Sequence, residues 1–402
     1  MQLKIFKVYK IHLLLLSIVI LAGFFRFYQL GQNPPSLTWD EVAFGYNAYS
    51  LGIDGRDEFG KFLPVDYLES FGDYKPPVYA YLDILPIKFF GLTSFATRFP
   101  SAFFGVFTVF LCYFLTKRIF YSSKNKEIYG LFSAFILALS PWHIMLSRAA
   151  FEANVATFFL VSGVLTFLAG IQEKKWFLVL SAILFILSMY TFNTSRIVAP
   201  LFVIFLAVIF WKKLFHCKKQ IIIAALLGFC LLLPLIPFLL SPEAKVRFQE
   251  VNIFSDTSVL ATGNQEIAND HKAPWSKIIH NRRIIYGLTF LQHYFDHFNP
   301  GYLFIRGDAN PKFSIQYVGQ LYIWDIPFFV IGLLFLFRRK EGYWWIIFLW
   351  IIIGLIPAAT ARETPHALRT ETVIPTFQMI VGYGVASTSI TIRLLVFLQV
   401  YT

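Results

Sequence analysis

Long apolar runs alternate with short polar stretches along the whole chain. Runs such as 11–27 and 221–240 are long enough, at about 1.5 Å rise per residue, to cross a hydrocarbon core of roughly 30 Å as helices. The pattern predicts an all-α polytopic membrane protein of about 10 to 11 transmembrane helices, with spans near 11–28, 96–116, 128–141, 152–171, 176–192, 196–211, 220–240, 322–337, 342–357 and 373–390. The last run, 391–402, is too short to cross and reads as an incomplete further span of a truncated chain. No small-residue cleavage site follows the first run, which leads into Arg26, so it reads as a retained span.

Three polar segments fall on one side of this alternation: 29–95, 241–321 and 358–372. In the first, Thr38 and Glu41 form a capping box that starts a helix, and Leu51-Gly52 ends it. Pro76 and Pro77 suit the first turn of a second helix, whose Tyr79, Tyr81, Leu82, Phe89 and Phe90 are expected at the membrane interface.

Composition agrees: 57% of the 402 residues are hydrophobic, 14% are charged and the mean hydropathy is +0.61, which excludes a soluble globular domain. The net charge of +12 might be taken for a nucleic-acid footprint until it is divided by topology. The short loops on the side of Lys4, Lys7 and Lys10 collect 17 cations and three acids, leaving 18 cations and 20 acids to the other side. That asymmetry is the positive-inside signal, with the N-terminus cytoplasmic and no nucleic-acid partner. Cys112 and Cys230 lie in spans and Cys217 in an inner loop, so no disulfide is expected.

Chemistry is therefore sought in the outer segments. Asp40 is not needed by the capping box and sits among Trp39, Phe44 and Tyr46, where a carboxylate kept ionised by helix N–H groups can take a proton from a hydroxyl. Glu41 serves the box, a helix dipole or a site equally well. Lys75, in GDYKPP, is either an interfacial anchor or a point charge for a phosphate. Arg148 and Glu152 stand four apart, at salt-bridge spacing, and Glu152 opens a span, where an ionisable group is costly. Arg196 begins the sixth span in the same layer. Arg306, Asp308, His366 and Arg369 add polar capacity in the later outer segments. His293 and His297 are four apart without a third ligand at an instructive spacing, so no metal site is assigned and a divalent ion stays open. No P-loop, dinucleotide fingerprint or G-x-S-x-G motif occurs.

The ordered strings TWDEVAFGYNAYSL, GDYKPPVYAY, TRFPSAFFG, SPWHIMLSRAAFE, RGDANPKFSIQYVGQLY and PHALRT resemble the GT-C superfamily of membrane glycosyltransferases. The likeness is to the branch of protein O-mannosyltransferases and lipid A aminoarabinose transferases, family 39-like, and covers residues 1–390. It implies transfer of one sugar, with inversion, from a polyprenyl-phosphate carrier to a protein, lipid or glycan acceptor at the outer face of the cytoplasmic membrane. By position it implies that Asp40 is the catalytic acid residue, Glu41 its companion, Lys75 the carrier-phosphate ligand and Glu152 the second acid. It further suggests Arg148, Arg306, His366 and Arg369 as donor-binding groups. Tyr74 stands where aminoarabinose transferases commonly carry an acid before Lys-Pro-Pro, and the chain has no room for the large extra domain of eukaryotic mannosyltransferases. The alternative is a polyprenyl-linked glycan flippase, which would place ionisable groups near the bilayer midplane instead of in one outer layer.

Overall fold

A computed structural model describes residues 2–401, which are helical apart from turns and one two-stranded hairpin. Every apolar run predicted as a span is helical. Five helices are long and apolar enough to cross a membrane alone: Tyr9–Phe27, Ser94–Ile119, Glu152–Gln172, Trp211–Leu232 and Glu371–Thr391. A sixth crossing appears if Lys126–Leu139 and Pro141–Arg148, bent by 56°, count as one broken span, and three shorter apolar helices pack among them. Pro234 has no N–H to continue a helical ladder, and the seventh predicted run stops at Leu232 before resuming at Leu235. The terminal run continues the helix Thr376–Tyr401 and starts no separate element, with Thr402 outside the described residues.

The elements that carry the chemistry come early. Helix α1 (Gln2–Phe27) is followed by α2 (Trp39–Asp54), the hairpin β1 (Leu68–Ser70) and β2 (Asp73–Lys75), and α3 (Val78–Phe90). Helices α4 (Ser94–Ile119), α5 (Lys126–Leu139), α6 (Pro141–Arg148), α7 (Glu152–Gln172), α8 (Phe177–Met189) and α9 (Ser195–Ile209) then build the bundle. The capping box starts α2 as expected, but the helix passes through Gly52 and ends on Gly55, whose φ of 78° lets its N–H reach the Leu51 carbonyl. At Gly45, α2 crosses α4 so closely that a Cβ would lie 2.6 Å from Thr97 Oγ1. Glycine at this position leaves room for that close crossing.

Helix α3 starts after Pro77 as predicted, with Leu85, Phe89 and Phe90 exposed in keeping with an interfacial role. Tyr79 differs from expectation: it is fully buried against Phe44, and its hydroxyl donates to the Thr97 carbonyl at 2.9 Å. The segment 241–321 is largely helical and is tied to residues 358–362, with the Ile253 N–H on the Thr360 carbonyl at 2.9 Å and the Arg362 N–H on the Val251 carbonyl at 3.1 Å. Trp142 and Trp350 fasten the next stretch from inside the bundle, donating to the carbonyls of Ala367 and Thr372. All three cysteines are free.

Candidate active site

The turn of β1–β2 uses Phe71 and Gly72, both at positive φ, a pair that matches the twist of a two-residue hairpin. Alternation along β2 then puts Asp73 and Lys75 on one face. The Lys75 ammonium donates to Asp73 Oδ2 at 2.9 Å and to Asp40 Oδ1 from the first turn of α2, and it lies 5.9 Å from the centre of the Phe44 ring. It is only 7% exposed. Burial alone would lower its pKa, but the facing carboxylates of Glu152, Asp40 and Asp73 outweigh that and hold it above the ordinary lysine range. One buried ammonium thus faces three acids. Asp40 keeps the most open side chain of the contact, 31% exposed against 20% for Asp73.

Glu41 goes the other way. Its Oε1 accepts from Arg98 Nε at 2.7 Å and from the Ala150 N–H at 3.0 Å, while Oε2 accepts from the Thr38 N–H at 2.8 Å and from an Arg98 Nη at 3.3 Å. Arg98 donates its remaining hydrogens to the carbonyls of Leu30, Pro34 and Ser36. Both side chains are essentially inaccessible. Glu41, expected as a catalytic companion, ties the start of α2, which carries Asp40, to the turn before α7, which carries Glu152. Arg98 is the residue that sequence reasoning missed. An arginine inside an apolar span needs a partner, and that requirement was the available signal.

Glu152 opens α7 as expected, but it does not pair with Arg148. Helix α6 ends at Arg148 and residues 149–151 are not helical, so the two never share a face. Arg148 instead donates to the carbonyls of Phe25 and Asn33 at 2.8 Å each, and more distantly to Arg26 and Gln29, capping the end of α1. Behind Glu152 sits Glu371, fully buried, with neither carboxylate oxygen hydrogen-bonded among the described residues and close enough for the two acids to repel. Arg196 donates through Nε to the Met189 carbonyl at 3.2 Å and stacks over Phe238, with one Nη not hydrogen-bonded among the described residues. Phe238 leads through Tyr67 to Tyr74, next to Lys75, so this guanidinium borders the same layer.

The other predicted residues form a second cluster. His366 is buried, packs on Phe313 and stands 3.9 Å from Asp308 Oδ2, while Asp308 accepts from the Ala367 N–H at 2.6 Å. Arg369 acts electrostatically on both. Arg306 is exposed at the end of the turn Gly301–Ile305. Phe151, against Phe313, and Trp39, under Lys312, lie where the two clusters border. The predicted pair His293 and His297 is spent on backbone: His293 Nδ1 on the Ala361 carbonyl, His297 Nδ1 on the His293 carbonyl and His297 Nε2 on the His366 N–H. Among the described residues no three His, Cys, Asp or Glu side chains are grouped to hold a metal ion.

This arrangement has relatives. An uncharacterized protein of Aquifex aeolicus is 31% identical over 214 residues, which cover 53% of this chain and 39% of that protein. ArnT from Cupriavidus metallidurans, solved without ligand, superposes with a TM-score of 0.55 at 12% identity over 94% of this chain and 60% of its own. The oligosaccharyltransferase AglB from Archaeoglobus fulgidus, in complex with an inhibitory peptide and a dolichol-phosphate, gives 0.57 at 14% identity over 98% of this chain and 52% of its own. This chain therefore spans less than two thirds of each, and the two solved structures establish a shared GT-C fold. The sequence profile of the dolichyl-phosphate-mannose-protein mannosyltransferases matches residues 16–251, more than half of the chain. With the acidic pair at the head of α2 and the lysine of the hairpin inside that match, the chain belongs to the dolichyl-phosphate-mannose-protein mannosyltransferase family.

Proposed function

We propose that this protein is an inverting glycosyltransferase that moves a single hexose or pentose from a polyprenyl-phosphate carrier to an acceptor hydroxyl at the outer face of the cytoplasmic membrane. The carrying observation is the Asp40–Lys75–Asp73 contact beside Glu152, in which the Lys75 ammonium bridges two carboxylates and faces a third. A phosphate that engages Lys75 competes with Asp40 for it. Asp40 is then released to accept the acceptor proton as its oxygen bonds to the anomeric carbon. The bond from that carbon to the phosphate oxygen breaks, and the electron pair leaves with the lipid phosphate, whose charge Lys75 stabilises. Glu41 with Arg98 holds Asp40 and Glu152 in register. An apolar crevice of about 700 Å³, lined by Phe24, Tyr28, Ile144 and Ile315 among others, suits an isoprenoid chain. A carrier phosphate fits the family, and two of the solved structures with this fold are complexes with undecaprenyl phosphate and with a dolichol-phosphate.

The test is purified protein in lipid nanodiscs with a panel of radiolabelled polyprenyl-phosphate sugars, following release of free lipid phosphate in wild type and Asp40→Asn. Release that depends on Asp40 supports the reading and names the donor. No release from any donor, or equal release by the variant, overturns it, and transbilayer movement of the same donors becomes the quantity to measure.

A further inference from the structure

The end of the bundle remote from Asp40 carries a second, chemically different cavity. Helix α4 joins the two ends: Arg98 lies near its head and Lys117 and Arg118 in its last turn, 19 residues later, or about 28 Å along the axis. Here a cavity of about 680 Å³ is lined by Lys117, Arg118, Lys126 and Lys213, with Glu127 and Glu173 as the only acids of the wall. Two of the cations are neutralised, Lys117 by Glu127 at 2.9 Å and Arg118 by Glu173 at 2.7 Å. The other two are not: Lys213 donates to the neutral Tyr343 hydroxyl at 2.6 Å, and neither it nor Lys126 makes a salt bridge among the described residues. The wall has surplus positive charge, the reverse of the Asp40 layer.

We propose that this cavity binds the phosphate headgroup of an anionic lipid. The lining changes from cations to the apolar and aromatic side chains of Phe114, Ile171, Tyr121 and Tyr343, and α4 and α7, which carry the first two, are spans. A ligand that fills it therefore joins an anionic head to a hydrocarbon part. The site is also built in advance. Gly342, at a φ of 60°, lets the chain pass so near the end of α4 that a Cβ would lie 2.2 Å from the Ile119 carbonyl, and the Tyr343 N–H bonds that carbonyl at 2.7 Å. Tyr343 and its Lys213 partner are thus held at the mouth before any lipid arrives. Basic clefts between spans are suited to anionic headgroups because each lysine or arginine near the membrane surface adds to the attraction.

The experiment uses delipidated full-length protein in a neutral detergent. Phosphatidylglycerol, phosphatidylcholine or inorganic phosphate is added, and bound lipid is counted by native mass spectrometry beside the thermal midpoint. Phosphatidylglycerol should be retained and raise the midpoint; phosphatidylcholine and inorganic phosphate should not. Lys126→Gln with Lys213→Gln should weaken phosphatidylglycerol retention roughly 10- to 30-fold, and Lys126→Arg with Lys213→Arg should restore it. Equal retention of the two lipids, or an unchanged Gln variant, overturns the proposal, and a response to inorganic phosphate alone assigns the cavity to a soluble anion and overturns the lipid. If the Gln variant does not fold, salt decides in wild type: selective retention must fall as ionic strength rises, and salt-independent retention rejects the site.

Discussion

Asp40 and Glu41 are consecutive residues of one helical turn, and their surroundings are opposite. Glu41 is in a closed system: four hydrogen bonds reach its two oxygens, and its arginine has no donor left for anything else. Asp40 belongs to an open one, where the Lys75 ammonium bridges Asp40 and Asp73 with Glu152 close by, and where Asp40 is more exposed than Asp73. A buried ion pair that is fully satisfied contributes order and cannot respond to a ligand, whereas an unbalanced cluster changes its partners when a charged ligand enters. Buried charge alone therefore does not single out a reactive group, and the proposed role of Asp40 rests on its shared, partly exposed contact.

The largest separation between the two regions is expected for Asp40→Asn. Loss of a positioned base should lower turnover by about 10² to 10⁴, or roughly 3 to 5 kcal/mol of barrier, with the thermal midpoint close to wild type. A collapse of stability in step with activity would place Asp40 in the closed system with Glu41. Next in size is Glu41→Ala. It strands the Arg98 guanidinium in a water-free setting, for which about 3 to 5 kcal/mol of stability is the expected loss, and the protein should fail to accumulate in folded form. Arg98→Ala should do the same. Fluorescence-detected size exclusion reads both, and a monodisperse, stable Glu41→Ala variant with lost turnover would return Glu41 to a chemical role.

How much of this the sequence disclosed follows from the range of each interaction. The capping box, the start of α3 after Pro77 and the helical state of every apolar run depend on neighbours a few residues away, so composition and spacing are enough to read them. Asp40, Lys75 and Glu152 were identified for their residue types, and Lys75 and Asp40 meet although 35 positions separate them. The hairpin went unread because its two strands of three residues carry no periodic signal of their own. The partnership of Glu41 with Arg98 spans 57 positions, and local spacing offers no reason to prefer it over a helix dipole. Arg148 shows the same limit in reverse: its spacing to Glu152 suggests a helical pair, and the break at 149–151 cancels it.

A smaller effect is expected at Arg148. Arg148→Ala removes charge-assisted donors from the end of α1 and should lower stability by about 2 to 3 kcal/mol while leaving donor cleavage by the folded fraction intact. Loss of donor cleavage at unchanged stability would instead make Arg148 a phosphate ligand and enlarge the open region at the expense of the closed one.

The smallest effect lies in the second cluster and appears only on acidification. Burial pushes His297 down to about 4, and burial together with Arg369 and His297 pushes His366 down to about 3, although Asp296 lies beside the first and Asp308 beside the second. The geometry explains the direction, because His297 donates through Nδ1 to the His293 carbonyl and accepts at Nε2 from the His366 N–H, an arrangement that only the neutral ring satisfies. Unfolded imidazoles bind protons near pH 6.5, so between about pH 6.5 and pH 4 the unfolded chain holds more protons than the folded one and stability declines as pH falls. Above pH 7 neither state is protonated and the term vanishes. Wild type should therefore lose about 2 kcal/mol more than His297→Gln between pH 7.5 and pH 4.5, since glutamine keeps a donor and an acceptor but does not titrate. Thermal midpoints of the two proteins across that range measure it. Parallel curves would mean that the imidazole is free to take its proton in the folded state, and the second cluster would then belong with the open, responsive region around Lys75.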